Sequence, residues 1–197
     1  MKGKQYFYKL NIWISLFIIV IISIVFLNLK VKLEVENIKC KRIYEKRIAS
    51  LLTSNKIENR KVMPIKVKNI LTNNQKYITF ADTTIIILLA KPQCDKCQEK
   101  ELSRLKELRS KKNIENIEII GITIESNIAL VAIQKKLNRI DFPIYYLSEE
   151  IFNNNLSFSS GFPQIIYIVN GIVQSAFKPV PLDDEFSEKY YKELLNL

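Results

Sequence analysis

The residues of this chain best suited to chemistry are two cysteines, Cys94 and Cys97, which stand three positions apart. Two thiols at this spacing occur as a reversible disulfide, as half of a tetrahedral metal site, or as side chains with no chemical role. The spacing alone does not separate these uses. The elements that hold the cysteines, and the other polar residues of the chain, have to decide between them.

A metal or haem site is the less favoured use of the pair. Structural zinc takes four ligands, whereas the chain has three cysteines and no histidine, so carboxylates would have to complete the set. Haem attachment requires a histidine directly after the second cysteine, where Gln98 stands. We therefore predict no metal and no cofactor, which leaves a redox couple or an inert, structural pair.

The sequence around the cysteines predicts alternating strands and helices. Residues 84–90, TIIILLA, form a continuous aliphatic run, as in a strand that is buried on both faces. Three leucines at helical spacing indicate a helix with one apolar face over 95–112. The remaining predicted elements are a short strand within 72–84, a strand at 117–124, a helix at 128–137, a short strand and helix within 141–154, a hairpin at 163–177 and a helix at 183–195.

From the first long strand onward the order is β-α-β-α, then an inserted β-α, then β-β-α. Strands that alternate with helices in this way predict a three-layer α/β domain, in which helices cover both faces of a sheet. The turn of the last hairpin is predicted at Asn170 and Gly171, because a type I′ turn requires two residues that tolerate positive φ.

This arrangement would give the two thiols different chemistry. Cys94 lies at the predicted start of a helix, where unpaired backbone N–H groups and the positive end of the helix dipole favour the thiolate. Cys97 would follow one turn into the helix, close enough to attack a mixed disulfide formed on Cys94. Lys91 and Lys96 favour the thiolate while Asp95 opposes it, so their net effect has no predicted sign.

The N-terminal part of the chain has a different composition. Residues 10–29 contain no charge and would extend about 30 Å as a helix, enough for one membrane crossing. We predict four segments: a short basic tail at 1–9, a transmembrane anchor at 10–29, a basic and partly helical juxtamembrane connector at 30–61, and a folded domain at 62–197.

The positive charge of the chain lies mainly next to the predicted anchor. Residues 30–76 contain 13 Lys and Arg against 4 Glu, whereas residues 77–197 contain 14 Lys and Arg against 16 Asp and Glu. A basic segment beside a membrane is attracted to anionic lipid headgroups. We therefore predict the membrane, and not nucleic acid, as a partner. Basic residues flank the anchor on both sides, so charge alone leaves its orientation open.

The strand order, the C-x-x-C at the end of the first long strand and the Gly-Phe-Pro at 161–163 resemble the thioredoxin fold. With the inserted β-α and the anchor, the chain resembles membrane-tethered thiol:disulfide oxidoreductases of the TlpA/ResA type. The resemblance covers residues 62–197 and implies an α/β, thioredoxin-like three-layer domain preceded by one N-terminal transmembrane helix. It further implies a single-pass protein of the cell membrane whose domain is extracytoplasmic.

The resemblance also implies an activity and four site residues. The activity would be disulfide exchange with protein thiols and disulfides, and an unidentified redox partner would recharge the couple. Cys94 would be the nucleophile and Cys97 the resolving thiol. Pro163 would be a cis-proline that faces them, and Phe162 would offer an apolar surface for the substrate.

Several positions depart from the thioredoxin pattern. Gln93 replaces the usual Trp, Asp95 and Lys96 replace Gly-Pro, and Leu88 replaces a buried acid found in many thioredoxins, so another proton acceptor is required. Neither partner specificity nor redox potential carries over.

Two other functions stay open. A peroxiredoxin-like peroxidase shares much of the topology, although Lys91 stands where Thr or Ser is usual. A non-catalytic thioredoxin-fold binding or scaffold module would not need the cysteines. Cys40, the third cysteine, is interpreted as a spare thiol and not as a link between chains.

Overall fold

The computed structural model describes residues 2–80, 82–89, 95–110 and 116–195, with side chains from Phe17 onward except that of Asp95. Within this part of the chain there are five α-helices and seven β-strands. The helices are α1 (Lys2–Ser54), α2 (Asp95–Arg109), α3 (Ile128–Leu137), α4 (Glu149–Asn155) and α5 (Asp184–Leu195). The strands are β1 (Ile65–Asn69), β2 (Gln75–Ile78), β3 (Thr84–Leu89), β4 (Glu118–Thr123), β5 (Ile144–Tyr146), β6 (Gln164–Val169) and β7 (Ile172–Phe177).

The strands form one mixed sheet in the order β2-β1-β5-β4-β3-β6-β7. Strands β3, β4 and β5 are parallel, and every other neighbouring pair is antiparallel. All six residues of β3 are buried, as its aliphatic run predicts. The order of elements from β3 to α5 is the predicted one. β2 is the short strand predicted within 72–84, whereas β1 was not predicted.

Alternate residues of β3 enter two separate cores, because successive side chains of a strand point to opposite faces of the sheet. Ile85 and Ile87 pack in the core that is covered by α2, α3 and α5. Ile86 and Leu88 pack in the other core, together with residues of α4 and with Ile57, which follows α1. The domain therefore has the predicted three layers.

The hairpin between β6 and β7 turns at Asn170 and Gly171, whose φ angles are 52° and 75°. Asn tolerates this left-handed region, and Gly enters it without steric cost. The predicted position of the turn is confirmed.

The chain divides into two compact units, residues 1–45 and residues 46–197. In the first unit, residues 17–29 are all exposed. Among the residues that were described, no helix is both long enough and apolar enough to cross a membrane. The predicted anchor at 10–29 begins in the part of α1 whose side chains lie outside the described residues.

The second unit includes the last turns of α1, which the sequence analysis assigned to the connector. The guanidinium of Arg47 donates two hydrogen bonds to the carboxylate of Asp183, at 2.6 and 2.7 Å, and lies 5.3 Å from the ring centre of Phe186. The Ser50 hydroxyl donates to the carbonyl of Lys178 at 2.6 Å. Residues 46–61 are thus part of the folded unit because specific polar contacts attach them to it.

Asp183 has two roles in this attachment. Besides pairing with Arg47, its carboxylate accepts a hydrogen bond from the backbone N–H of Phe186 at 3.3 Å, which caps the N-terminus of α5. Asp183 is buried, and the hydrogen bond from Arg47 holds the pKa of its carboxyl below the usual range.

We expect Asp183→Ala to lower the free energy of unfolding by about 2 kcal/mol, because it removes a charged pair and a helix cap. Chemical denaturation of both chains measures this. The pKa of Asp183 is lowered in the folded chain, so its stabilisation is present above the ordinary carboxyl pKa and is lost as pH falls through the folded value.

The difference in stability between the two chains should therefore shrink in acid. The control is Asp141→Ala, because Asp141 pairs with Arg109 at an exposed position and should contribute less than about 1 kcal/mol. Equal effects of the two substitutions would contradict the role of Asp183.

Candidate functional site

The candidate site lies at the edge of the sheet where β3 ends. Register pairs Leu89, the last residue of β3, with Thr123, the last residue of β4. On the other side of β3, Leu88 pairs with Gln164, the first residue of the antiparallel strand β6. Helix α2 begins at Asp95, after the chain leaves β3 at this edge. The ends of β3 and β4 and the start of β6 thus meet at the edge from which the chain continues to α2.

Cys97 is the third residue of α2, is half-buried and takes part in a disulfide. Cys94, its predicted partner, lies outside the described residues, as do Lys91 and Gln93. The pairing of Cys94 with Cys97 and the role of Cys94 as nucleophile therefore stay predictions. Cys40 lies in α1, is exposed and is free.

The two residues predicted to bind substrate lie directly before β6. The Phe162–Pro163 peptide bond is cis, which is the isomer predicted from the sequence. Pro163 is buried and Phe162 is half-buried. The ring of Phe162 contacts that of Phe152 in α4, with the ring centres 5.7 Å apart. Part of the Phe162 surface is therefore used in the core, and only the remainder is available to a substrate.

Gln164, directly after Pro163, was missed by the sequence analysis. Its side chain is fully buried, and its amide bonds to residues 157–161. We refer to residues 157–163 as the Pro163 loop. The signal in the sequence was an amide placed between a proline and the apolar run IIYIV, which is unusual for a central strand because a buried amide requires partners.

A second group of polar residues lies between α2 and α3. A cavity of about 40 Å³ has a mixed lining of four apolar side chains and six polar ones, which are Gln98, Glu99, Thr123, Glu125, Gln134 and Asn138. Glu125 is 9% exposed, and its carboxylate accepts a hydrogen bond from the backbone N–H of Asn127 at 2.8 Å. This volume is sufficient for at least one water molecule, and the lining supplies polar partners for it. A carboxylate and a water-sized space thus lie next to the first turns of α2.

An ionic cluster that is buried at Glu101 and exposed at Lys100 and Asp184 attaches α2 to α5. Glu101 is 2% exposed, forms an ion pair with Arg104 and accepts a hydrogen bond from the Tyr191 hydroxyl at 2.9 Å. Arg104 also pairs with Asp184 at the start of α5, and Lys100 pairs with the same carboxylate at 2.5 Å. The hydrogen bond from Lys100 holds the pKa of Asp184 below its usual range.

Burial raises the pKa of Tyr191 well above its ordinary value, so its hydroxyl keeps its proton and remains a donor to Glu101. The helix that carries Cys97 is therefore fixed by charged and hydrogen-bonded contacts as well as by its leucines.

The fold is that of thioredoxin-like domains. No protein-family model and no curated protein matches this chain. Among solved structures it is similar to the thioredoxin domain of a thiol-disulfide oxidoreductase from Bacteroides vulgatus, with a TM-score of 0.56, 12% identity, and coverage of 70% of this chain and 97% of that one.

Two further structures give the same result. A thiol:disulfide interchange protein from Bacteroides sp. has a TM-score of 0.53 and 12% identity, with 71% and 91% of the two chains covered. A secreted thiol-disulfide isomerase from Corynebacterium glutamicum has a TM-score of 0.51 and 13% identity, with 64% and 81% covered. At these identities the likeness establishes the fold, which confirms the predicted thioredoxin-like α/β domain.

We expect Tyr191→Phe to lower the free energy of unfolding by about 1–3 kcal/mol, because the buried carboxylate of Glu101 loses a donor and no water replaces it. Thermal or chemical unfolding measures this effect. The matched control is Tyr77→Phe, because Tyr77 is 67% exposed and its hydroxyl is solvated. If Tyr191→Phe lowers the free energy of unfolding no more than Tyr77→Phe does, the cluster does not fix α2 as described.

Proposed function

We propose that this protein is a thiol:disulfide oxidoreductase that exchanges disulfides with protein substrates through Cys94 and Cys97. One observation carries the proposal: the Pro163 loop and the end of β3 meet at one edge of a thioredoxin-like sheet. From this edge the chain continues to α2, which contains Cys97. Three proteins with this fold support it, a thiol-disulfide oxidoreductase, a thiol:disulfide interchange protein and a thiol-disulfide isomerase. The disulfide state of Cys97 supports it further.

The reaction would proceed in two exchanges. The Cys94 thiolate attacks one sulfur of a substrate disulfide, which forms a mixed disulfide and releases the other substrate sulfur as a thiolate. The Cys97 thiolate then attacks the Cys94 sulfur, which releases the second substrate thiol and leaves a Cys94–Cys97 disulfide. The substrate gains two electrons and the couple loses two. The reverse sequence would oxidise a substrate, and a dithiol or disulfide partner would restore the couple.

The proton of the resolving thiol needs an acceptor, since Leu88 occupies the position of the buried acid in many thioredoxins. A water molecule in the cavity that Gln98 and Glu125 help to line would act as this proton acceptor, so no charged group is needed in the middle of β3. Attack by Cys97 requires its thiolate, so loss of this proton contributes to the rate of the second exchange.

We predict that Cys97→Ser accumulates mixed disulfides with substrate proteins, because the first exchange still occurs and the second cannot. Cys94→Ser should form no such adducts and should not reduce a protein disulfide. Cys40→Ser is the matched control and should behave as the unmodified chain. Non-reducing electrophoresis and mass spectrometry after acid quenching measure the adducts.

Partner binding that persists when both Cys94 and Cys97 are replaced would favour the non-catalytic scaffold function. Peroxide consumption that requires Cys94 alone would favour the peroxidase. Either result would contradict the two-cysteine exchange.

We further propose that residues 10–29 anchor the protein in the cell membrane, with the folded domain on the extracytoplasmic side. The apolar side chains at 17–29 are exposed on a helix, where lipid would cover them. The basic residues that follow suit anionic headgroups. Disulfide chemistry belongs to oxidising compartments, and one structure with this fold is of a secreted isomerase.

This location predicts that the full chain sediments with membranes, resists extraction by salt or alkali, and is released by detergent. A chain that lacks residues 1–29 should be recovered in the soluble fraction. In spheroplasts, added protease should remove the domain of the full chain while a cytoplasmic marker survives. Survival of the domain until the membrane is dissolved would contradict the proposed orientation.

A further inference from the structure

Gln164 is a fully buried amide whose polar atoms are all directed to the Pro163 loop. Its Nε2 lies 2.6 Å from the carbonyl oxygen of Ser159, 3.1 Å from that of Gly161 and 3.2 Å from the Ser157 hydroxyl. Its Oε1 accepts a hydrogen bond from the backbone N–H of Phe158 at 3.0 Å. One side chain of the sheet thus bonds to three backbone groups of the loop.

These bonds act on the shape of the loop together with two bonds inside it: the Ser157 hydroxyl donates to the Ser159 carbonyl at 3.1 Å, and the backbone N–H of Gly161 donates to the Ser159 hydroxyl at 3.4 Å. An inward-facing carbonyl or N–H that is buried without a partner costs free energy comparable to a lost hydrogen bond. With Gln164 present, the carbonyls of Ser159 and Gly161 turn inward together with the N–H of Phe158. The loop is therefore held in one conformation by the first residue of β6.

A second contact supports the loop from Lys178, the residue directly after β7. The Lys178 ammonium lies 3.1 Å from the Ser159 hydroxyl, and it also packs against Gly161, where an added Cβ would approach its nitrogen to 2.5 Å. Gly161 leaves the space that this side chain fills. Gln164 and Lys178 therefore both hold the central part of the loop.

The position of Gln164 connects this support with the candidate site. It pairs with Leu88 across the sheet, one residue before β3 ends and the chain proceeds toward Cys94. We propose that Gln164 is a positioning residue for the disulfide exchange proposed above, on which this inference rests. It holds the Pro163 loop in the shape that receives an extended polypeptide next to the cysteines, and it does not itself contact the reacting sulfurs.

This role distinguishes between two classes of substrate. A polypeptide disulfide has a backbone that must lie along the loop, so its binding depends on the shape of the loop. A small aromatic disulfide needs only an accessible thiolate. Loss of the Gln164 contacts should therefore weaken the reaction with polypeptides and leave the reaction with the small disulfide unchanged.

The test is Gln164→Glu in the full chain, because this change keeps the size and the acceptor but removes both N–H donors. We expect KM for reduction of insulin to rise about tenfold, the ratio that corresponds to ~1.4 kcal/mol. The rate constant with 5,5′-dithiobis(2-nitrobenzoic acid) should stay within about twofold, since a thiol reaction depends on thiolate fraction and access. The matched control is Gln174→Glu. This substitution makes the same change of charge at an exposed position of β7.

A milder variant keeps the test decisive if Gln164→Glu does not fold. Ser157→Ala removes the longest of the amide contacts, at 3.2 Å, and the 3.1 Å hydrogen bond from the Ser157 hydroxyl to the Ser159 carbonyl, while the Gln164 contacts to the loop backbone stay. We expect about a twofold rise in KM for insulin from this variant. If Gln164→Glu folds, an unchanged KM for insulin in that variant would overturn the inference. If Gln164→Glu does not fold, an unchanged KM in Ser157→Ala would overturn it. An equal loss with both substrates would overturn it as well. Failure of the unmodified chain to reduce either disulfide would instead reject the proposed function, and with it this role for Gln164.

Discussion

A polar side chain in the middle of a strand that is covered on both faces by helices costs free energy unless it finds partners, and the middle of β3, residues 85–88, contains only aliphatic side chains. All six of its residues are buried, and alternate residues enter the two cores of the domain. The polar and reactive groups near β3 therefore lie at its first residue, Thr84, and in the residues that precede and follow the strand. Leu88 fits this constraint where many thioredoxins accept a buried acid. At this edge of the sheet a buried carboxylate beside a cavity, that of Glu125, comes from the segment after β4.

Because the middle of β3 contains no polar group, the polar side-chain contacts that hold the surrounding elements come from other strands and from the helices. The start of β6 must bring the Pro163 loop back to the end of β3, and Gln164 pairs the backbone of that loop from inside the domain. On the face of the sheet that is covered by α2, α3 and α5, Glu101 joins α2 to α5 through Tyr191. Arg47 attaches the end of α1 to the cap of α5. Each of these contacts fixes an element that surrounds the candidate site.

The sequence predicted best those features that depend on local pattern. The aliphatic run of β3, the leucines of α2 and the turn at Asn170 are local, and the structure confirms them. From them the order of elements followed, and the order was sufficient to indicate a thioredoxin-like domain. The order of elements also made Cys94, Cys97 and Pro163 candidate site residues, because it placed the cysteines at the end of β3 and the proline directly before the hairpin.

Features that depend on distant partners were not predicted. β1 has only five residues, IKVKN, and belongs to the sheet because it pairs with β2 and β5. Residues 46–61 resemble a basic connector in composition, and contacts with distant residues make them part of the domain, among them the pairing of Arg47 with Asp183, 136 positions away, and of Ser50 with Lys178. Gln164 looks like an isolated polar residue in a strand until its partners in the loop are known. In each case the sequence contains the residue but not the contact that gives it a role.

The central claim is that Cys94 and Cys97 form one two-electron redox couple. The most direct measurement is a redox titration of the Cys40→Ser chain in glutathione buffers, with quantitative alkylation of each remaining thiol read by mass spectrometry. The account predicts that both thiols disappear together along a two-electron Nernst curve, with an internal disulfide and no stable glutathione adduct as the oxidised product. Independent oxidation of the two thiols, or two glutathione adducts in place of the internal disulfide, would contradict it.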